Sequence, residues 1–147
     1  LPLVRQALRA GHAIGNHTWN HPFLTKLSSP AVDSQLAQTD DALYRAAGFH
    51  TALFRPPYGD VDRRVEGIAW NRGMSVNLWS DDPRDWAGGG AQQIAGQVLA
   101  QARPGAIILL HDGGGPRVET LRAVPIIIQA LRRDGYSFLT IPELLQP

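Results

Sequence analysis

Short apolar runs alternate with amphipathic helical segments along this chain, and that alternation restricts its fold more than any other feature. Leu3, Val4, Ala7 and Leu8 stand at helical spacing, so a helix is expected over Leu1–Ala10, with Gly11 as its stop. A second begins at Ser29-Pro30, carries Val32, Leu36, Leu43 and Ala47, and ends at Gly48. Further helices are expected over Val61–Asn71, Ala91–Ala102 and about Glu119–Arg133, with a helical tail from Pro142. Pro125 fits only near a first turn, which points to a later start for the fifth helix. Between them, His12–Gly15, Ala52–Phe54, Met74–Trp79, Ala106–Leu110 and Tyr136–Thr140 read as strands. Strands and helices in this order predict an α/β fold with parallel strands covered on both faces, and a barrel is its natural form. A barrel places its chemistry at the C-terminal ends of the strands.

One domain is expected over residues 1–147, because no repeat or linker-like stretch interrupts the pattern. The formal net charge of +1 gives no electrostatic footprint for nucleic acid. The longest uninterrupted apolar run, Ala106–Leu110, is far too short to span a bilayer. With no Cys, thiolate metal sites and disulfides are excluded.

The unusual residues follow the expected strands, a positional argument for one shared site. His17 and His21 are spaced i and i+4, which lets two imidazoles reach one divalent metal, although spacing alone fits a surface pair as well. His12 and His50 have no partner at useful spacing and are read as structural. Arg55-Pro56-Pro57-Tyr58-Gly59 is a stiff loop that would hold the Tyr58 N–H in one orientation, as an oxyanion donor requires, and Arg55 can steer a carboxylate. An ordinary tight connection reads the same way. Trp79 to Trp86 places three acids beside two Trp and suits a sugar ring; within it Asp85 is read as a local loop cap and Asp82 as the functional candidate. His111 leaves the apolar Leu109-Leu110 run at the expected catalytic face, as a general acid or base kept protonated by a carboxylate such as Asp82. Gly88–Gly90 and Gly113–Gly115 lack the ending of a phosphate-binding loop, and no Gly-x-Ser-x-Gly elbow is present.

In this order the segments resemble the NodB-type polysaccharide deacetylases, carbohydrate esterase family 4. His17-Thr18-Trp19-Asn20-His21 is similar to the family's metal-binding motif and Arg55–Gly59 to its Arg-Pro-Pro-Tyr-Gly motif. Asp82-Pro83-Arg84-Asp85-Trp86 resembles Asp-x-x-Asp-Trp, and Leu109-Leu110-His111 resembles Leu-x-His. The resemblance implies a distorted (β/α) barrel that removes acetyl groups from a polysaccharide with one divalent metal: zinc foremost, or cobalt, manganese or nickel. By motif position, His17 and His21 would be ligands, Tyr58 the oxyanion donor and His111, tuned by Asp82, the acid that protonates the leaving group. Trp86, Leu109, Pro56 and Pro57 would shape the substrate pocket.

The family's first motif, Thr-Phe-Asp-Asp-Gly, carries the base and a third ligand, and this sequence has no counterpart. Thr39-Asp40-Asp41-Ala42 follows the His pair and lies inside an amphipathic helix, so it is no substitute. Arg55 would orient that base. The expectation is therefore a C-terminal portion of the domain, its N-terminal strand cut away, disordered, or supplied by an upstream segment or second chain, and slow hydrolysis by this chain alone. N-acetylglucosamine units of peptidoglycan or chitin-like polymers are the expected substrate, at the cell envelope or outside the cell. A non-catalytic carbohydrate-binding pseudoenzyme and an acetylxylan esterase are the alternatives.

Overall fold

The computed structural model describes residues 2–146, so Leu1 of the first expected helix lies outside the described residues. Two compact units form, the first built from residues 2–78 and 140–142 and the second from residues 79–139 and 143–146.

In the first unit, α1 (Pro2–Arg9) and α2 (Ser29–Ala47) precede β1 (Leu53–Phe54), α3 (Arg63–Asn71) and β2 (Ser75–Val76). α2 starts with Pro30 at its second position, where a missing N–H costs nothing, and stops at Gly48, whose φ of 75° is the left-handed geometry glycine adopts freely. Ser28, one residue earlier than expected, is the N-cap, and its side chain makes no capping bond. α3 begins at Arg63 because the Asp62 carboxylate accepts the Val65 N–H at 2.8 Å. Val32 and Leu36, one turn apart on α2, meet Val65 and Ala69 of α3, with Phe54, Leu24 and Met74 closing a fully buried core. The Arg72 guanidinium grips Asp33 through two 2.6 Å bonds.

β1 and β2 pair in parallel, Leu53 opposite Ser75 and Phe54 opposite Val76. The expected strand over His12–Gly15 is reduced to one parallel bridge between Asn16 and Phe54. Gly15 makes even that possible, since a Cβ there would lie 3.2 Å from the Leu53 carbonyl oxygen.

The second unit carries α4 (Ala91–Gln101) and α5 (Val118–Arg133), packed through Ile94, Ala95 and Val98 against Ala123, Ile127 and Leu131. Pro125 lies inside α5, so the helix does not start late as expected. The carbonyl left without its donor belongs to Leu121; both residues are exposed, and water can take the bond. The expected strand Ala106–Leu110 is one parallel bridge between Asp81 and Ile108, and Met74–Trp79 shrinks to β2. Tyr136–Thr140 forms no strand, and α6 (Ile141–Leu144) follows it. Strands need partners along their whole length, and among the described residues these runs find one or two paired positions each. No helix among the described residues is long and apolar enough to cross a membrane.

Candidate active site

In the first unit, the segment from Asn16 to His21 is held by side chains, because Thr18 (φ 67°) and His21 (φ 60°) are left-handed and cannot join a regular ladder. Asn16 is buried; its amide donates to the Leu36 carbonyl at 2.9 Å and its Oδ1 accepts the Thr18 N–H at 2.9 Å. Gln35 Oε1 accepts the N–H groups of Trp19 and Asn20, and Thr18 Oγ1 accepts that of His21. The loop so formed places the His17 and His21 rings edge to face with centroids 4.9 Å apart. His17 Nδ1 donates to the Arg55 carbonyl at 2.6 Å, so that in the neutral ring the lone pair is on Nε2, the arrangement found behind metal-ligating imidazoles.

Tyr58 is also left-handed, φ 60° and ψ 6°, between Pro57 and Gly59. The N–H groups of Gly59 and Asp60 close the turn onto the carbonyls of Pro56 and Pro57. The Tyr58 ring stacks on Phe23 at 4.1 Å and meets the edge of His21 at 4.6 Å, so the Arg-Pro-Pro-Tyr-Gly loop and the His pair share one ring cluster. Pro56 and Pro57 are fully buried. This corrects their assignment as substrate-contacting residues: they set the backbone from beneath. Arg55 donates Nε to the Asn77 carbonyl at 3.1 Å, tying the end of β1 to the end of β2, and burial lowers its pKa.

In the second unit the two carboxylates exchange the roles expected of them. Asp82 Oδ1 accepts the N–H of Arg84, two residues on, and so is the local loop cap. Asp85 is the partner of His111: Oδ1 meets His111 Nδ1 at 2.7 Å, while Oδ2 accepts the His111 N–H and the Thr120 hydroxyl, both at 2.9 Å. Burial pushes the Asp85 pKa up, but hydrogen bonds from the His111 ring, the His111 N–H and Thr120 outweigh it and hold the carboxyl below its usual range. An ionised Asp85 makes Nδ1 of His111 the donor and leaves Nε2 for a reacting group. Trp86 is half exposed, with the Arg84 guanidinium 5.2 Å from its ring, and Leu109 is partly buried. Asp81 is wholly buried with neither oxygen hydrogen-bonded; burial is the main cause that raises its pKa, with Arg103 opposing and Asp82 adding to the rise.

Asn16, Gln35 and Thr120 are the site-building residues that motif spacing does not announce. Asn16 directly precedes the His motif and ends the run Gly11-His12-Ala13-Ile14-Gly15-Asn16, which also resembles the family, but nothing in that run announces its bond to the Leu36 carbonyl. His50, read as structural, bonds Asp40 at 2.6 Å, and Asp40 and Asp41 lie within α2 as expected. Among the described residues no group of three His, Cys, Asp or Glu could hold a metal ion.

The family model for polysaccharide deacetylase matches residues 2–76, half of the chain. A peptidoglycan-N-acetylglucosamine deacetylase of Bacillus cereus is 38% identical over 98% of this chain and 68% of its own length. The chain belongs to the polysaccharide deacetylase family. Its fold is that family's α/β fold: the peptidoglycan deacetylase PdaC from Bacillus subtilis superposes with a TM-score of 0.88 at 33% identity, covering 97% of this chain and 68% of that one. A family 4 pseudoenzyme from Bacillus anthracis superposes at 0.90 with 30% identity, over 99% of this chain and 50% of its own.

Proposed function

We propose that this polysaccharide deacetylase homologue hydrolyses the acetamide of N-acetylglucosamine units in a peptidoglycan- or chitin-like polymer of the cell wall or extracellular space. The observation that carries the reading is the paired imidazole edge of His17 and His21, with His17 Nδ1 bound to a carbonyl behind it. Two neutral imidazoles suit a divalent metal, which when bound supplies a Lewis acid for the acetyl carbonyl and a more acidic water. The chain's own residues do the rest. The left-handed Tyr58 holds its N–H in one direction, as a donor to the oxygen that gains charge when water adds to the carbonyl. His111, its Nδ1 fixed by Asp85, holds a proton at Nε2 for the departing amine, so that amide and water become amine and acetate. Trp86 offers an exposed ring face for a sugar, with Leu109 against the acetyl methyl. In a chain extended upstream by the Asp-Asp-Gly motif, Arg55 would steer that motif's carboxylate.

The test is acetate release from a tetramer of N-acetylglucosamine. The chain as it stands is compared with the chain extended upstream by a strand bearing Thr-Phe-Asp-Asp-Gly. The extended form is expected to be faster by about 10²–10⁴-fold, the contribution of a positioned base, and to lose activity with His21→Ala or His111→Ala. Equal rates in the two forms, or indifference to both substitutions, would overturn the reading. A second reading, a carbohydrate binder without chemistry, is supported by the Bacillus anthracis neighbour and predicts tetramer binding with no acetate from either form.

A further inference from the structure

The loop bearing the His pair has an unusual support. The four successive amides of Thr18, Trp19, Asn20 and His21 each donate to a side-chain oxygen, at 2.9, 3.0, 3.1 and 3.1 Å. Left-handed residues at both Thr18 and His21 deny the segment a ladder of its own, so its shape depends on those acceptors. Two of the four bonds are internal, from Asn16 and Thr18. The other two converge on one atom from another element, Oε1 of Gln35 in α2, and use both of its lone pairs. Asn16 is anchored at the adjoining position by the Leu36 carbonyl, so two successive residues of α2 grip the loop on either side of His17. The Leu36 side chain is fully buried in the core, which fixes that stretch of α2 as a rigid base.

We propose that Gln35 is a positioning residue for the His17/His21 pair: its Oε1 locks the Trp19–Asn20 peptides and thereby sets the separation of the two imidazoles. The proposal rests on the reading that this pair takes a divalent cation. It adds a residue that touches neither metal nor substrate and acts through the backbone between the ligands. Carboxamide and carboxylate both present an oxygen acceptor, whereas a thioether of similar length presents only a weak one, so two near-isosteric substitutions separate the bond from the packing.

The experiment uses the whole chain, as wild type, Gln35→Met and Gln35→Glu. Zinc titration is followed on the His17 and His21 ring signals by NMR, together with amide exchange at Trp19 and Asn20 and a thermal melt. Gln35→Met is expected to melt as a folded protein, lose amide protection at 19 and 20, and bind zinc about 10–100-fold more weakly, the usual cost of losing an outer support of a ligand. Gln35→Glu is expected to restore both. Gln35→Met with zinc affinity and exchange like wild type would overturn the proposal, as would a Glu variant no better than Met. If the wild-type chain takes no zinc, the metal reading falls separately, and amide exchange still decides whether Gln35 holds the loop.

Discussion

His17 and His111 each turn Nδ1 toward an oxygen at almost the same distance, 2.6 and 2.7 Å, but the oxygens differ in kind. In the first unit the partner is the neutral Arg55 carbonyl, and every other acceptor in that loop is a neutral side-chain oxygen. In the second unit the partner is a buried carboxylate that hydrogen bonds keep ionised. A carbonyl fixes a tautomer without adding charge, which suits an imidazole whose lone pair faces a cation. A carboxylate also holds a proton in place, which suits a proton donor. The two units thus set one kind of side chain against two kinds of support, a neutral carbonyl and an ionised carboxylate, as the two roles proposed for them require.

The sharpest way to break this contrast is Asp85→Asn, which removes the charge that three donors were built to meet. Urea unfolding at neutral pH should register a loss of about 3 kcal/mol, as for the removal of one partner of a buried pair. Because the folded-state pKa of Asp85 is depressed, its contribution is complete above the unfolded value near 4 and is lost as pH falls through the folded value. The wild type should therefore lose stability more steeply in acid than the Asn variant; parallel curves would refute the assignment.

Asp81 has the opposite sign within the same unit. Its pKa is raised by burial, so it leaves stability undiminished below about pH 4 and lowers it as pH rises through the folded value. Asp81→Leu should stabilise the protein by about 2 kcal/mol at neutral pH and flatten the decline that begins above about pH 4. A destabilised variant would mean that this carboxylate has a partner after all. The smallest effect is expected in the first unit, where Phe23→Leu removes the stack on Tyr58 and should cost about 1 kcal/mol in unfolding. A change confined to the Tyr58 and His21 ring signals would sharpen the view of that cluster as a local clamp.

The helices were legible because their signals are local. Pro30 and Gly48 bracket α2, and Ile94, Ala95 and Val98 mark the buried face of α4. The strands were legible only as apolar runs, since pairing is decided by distant segments: Ala106–Leu110 reads as a full strand yet bonds at a single bridge. The His pair, Tyr58 and His111 were visible as motif residues, but the division of labour between Asp82 and Asp85 was not. A three-residue spacing cannot say which carboxylate reaches a histidine 26 residues on, and the left-handed Arg84 between them decides it by turning the chain. Gln35 escaped for the same reason: an ordinary polar position on an amphipathic helix becomes a loop anchor only when the fold brings residues 15 and 16 positions earlier beside it.

On the proposed function, the pair formed by the carbonyl-backed His17 and His21 takes a cation, while the carboxylate-backed His111 does not. Zinc titration of the whole chain by calorimetry tests it directly, with His17→Ala, His21→Ala and His111→Ala in parallel. One ion per chain is predicted, lost in either of the first two variants and unchanged in the third. Binding that survives His21→Ala, or that disappears with His111→Ala, would contradict the account.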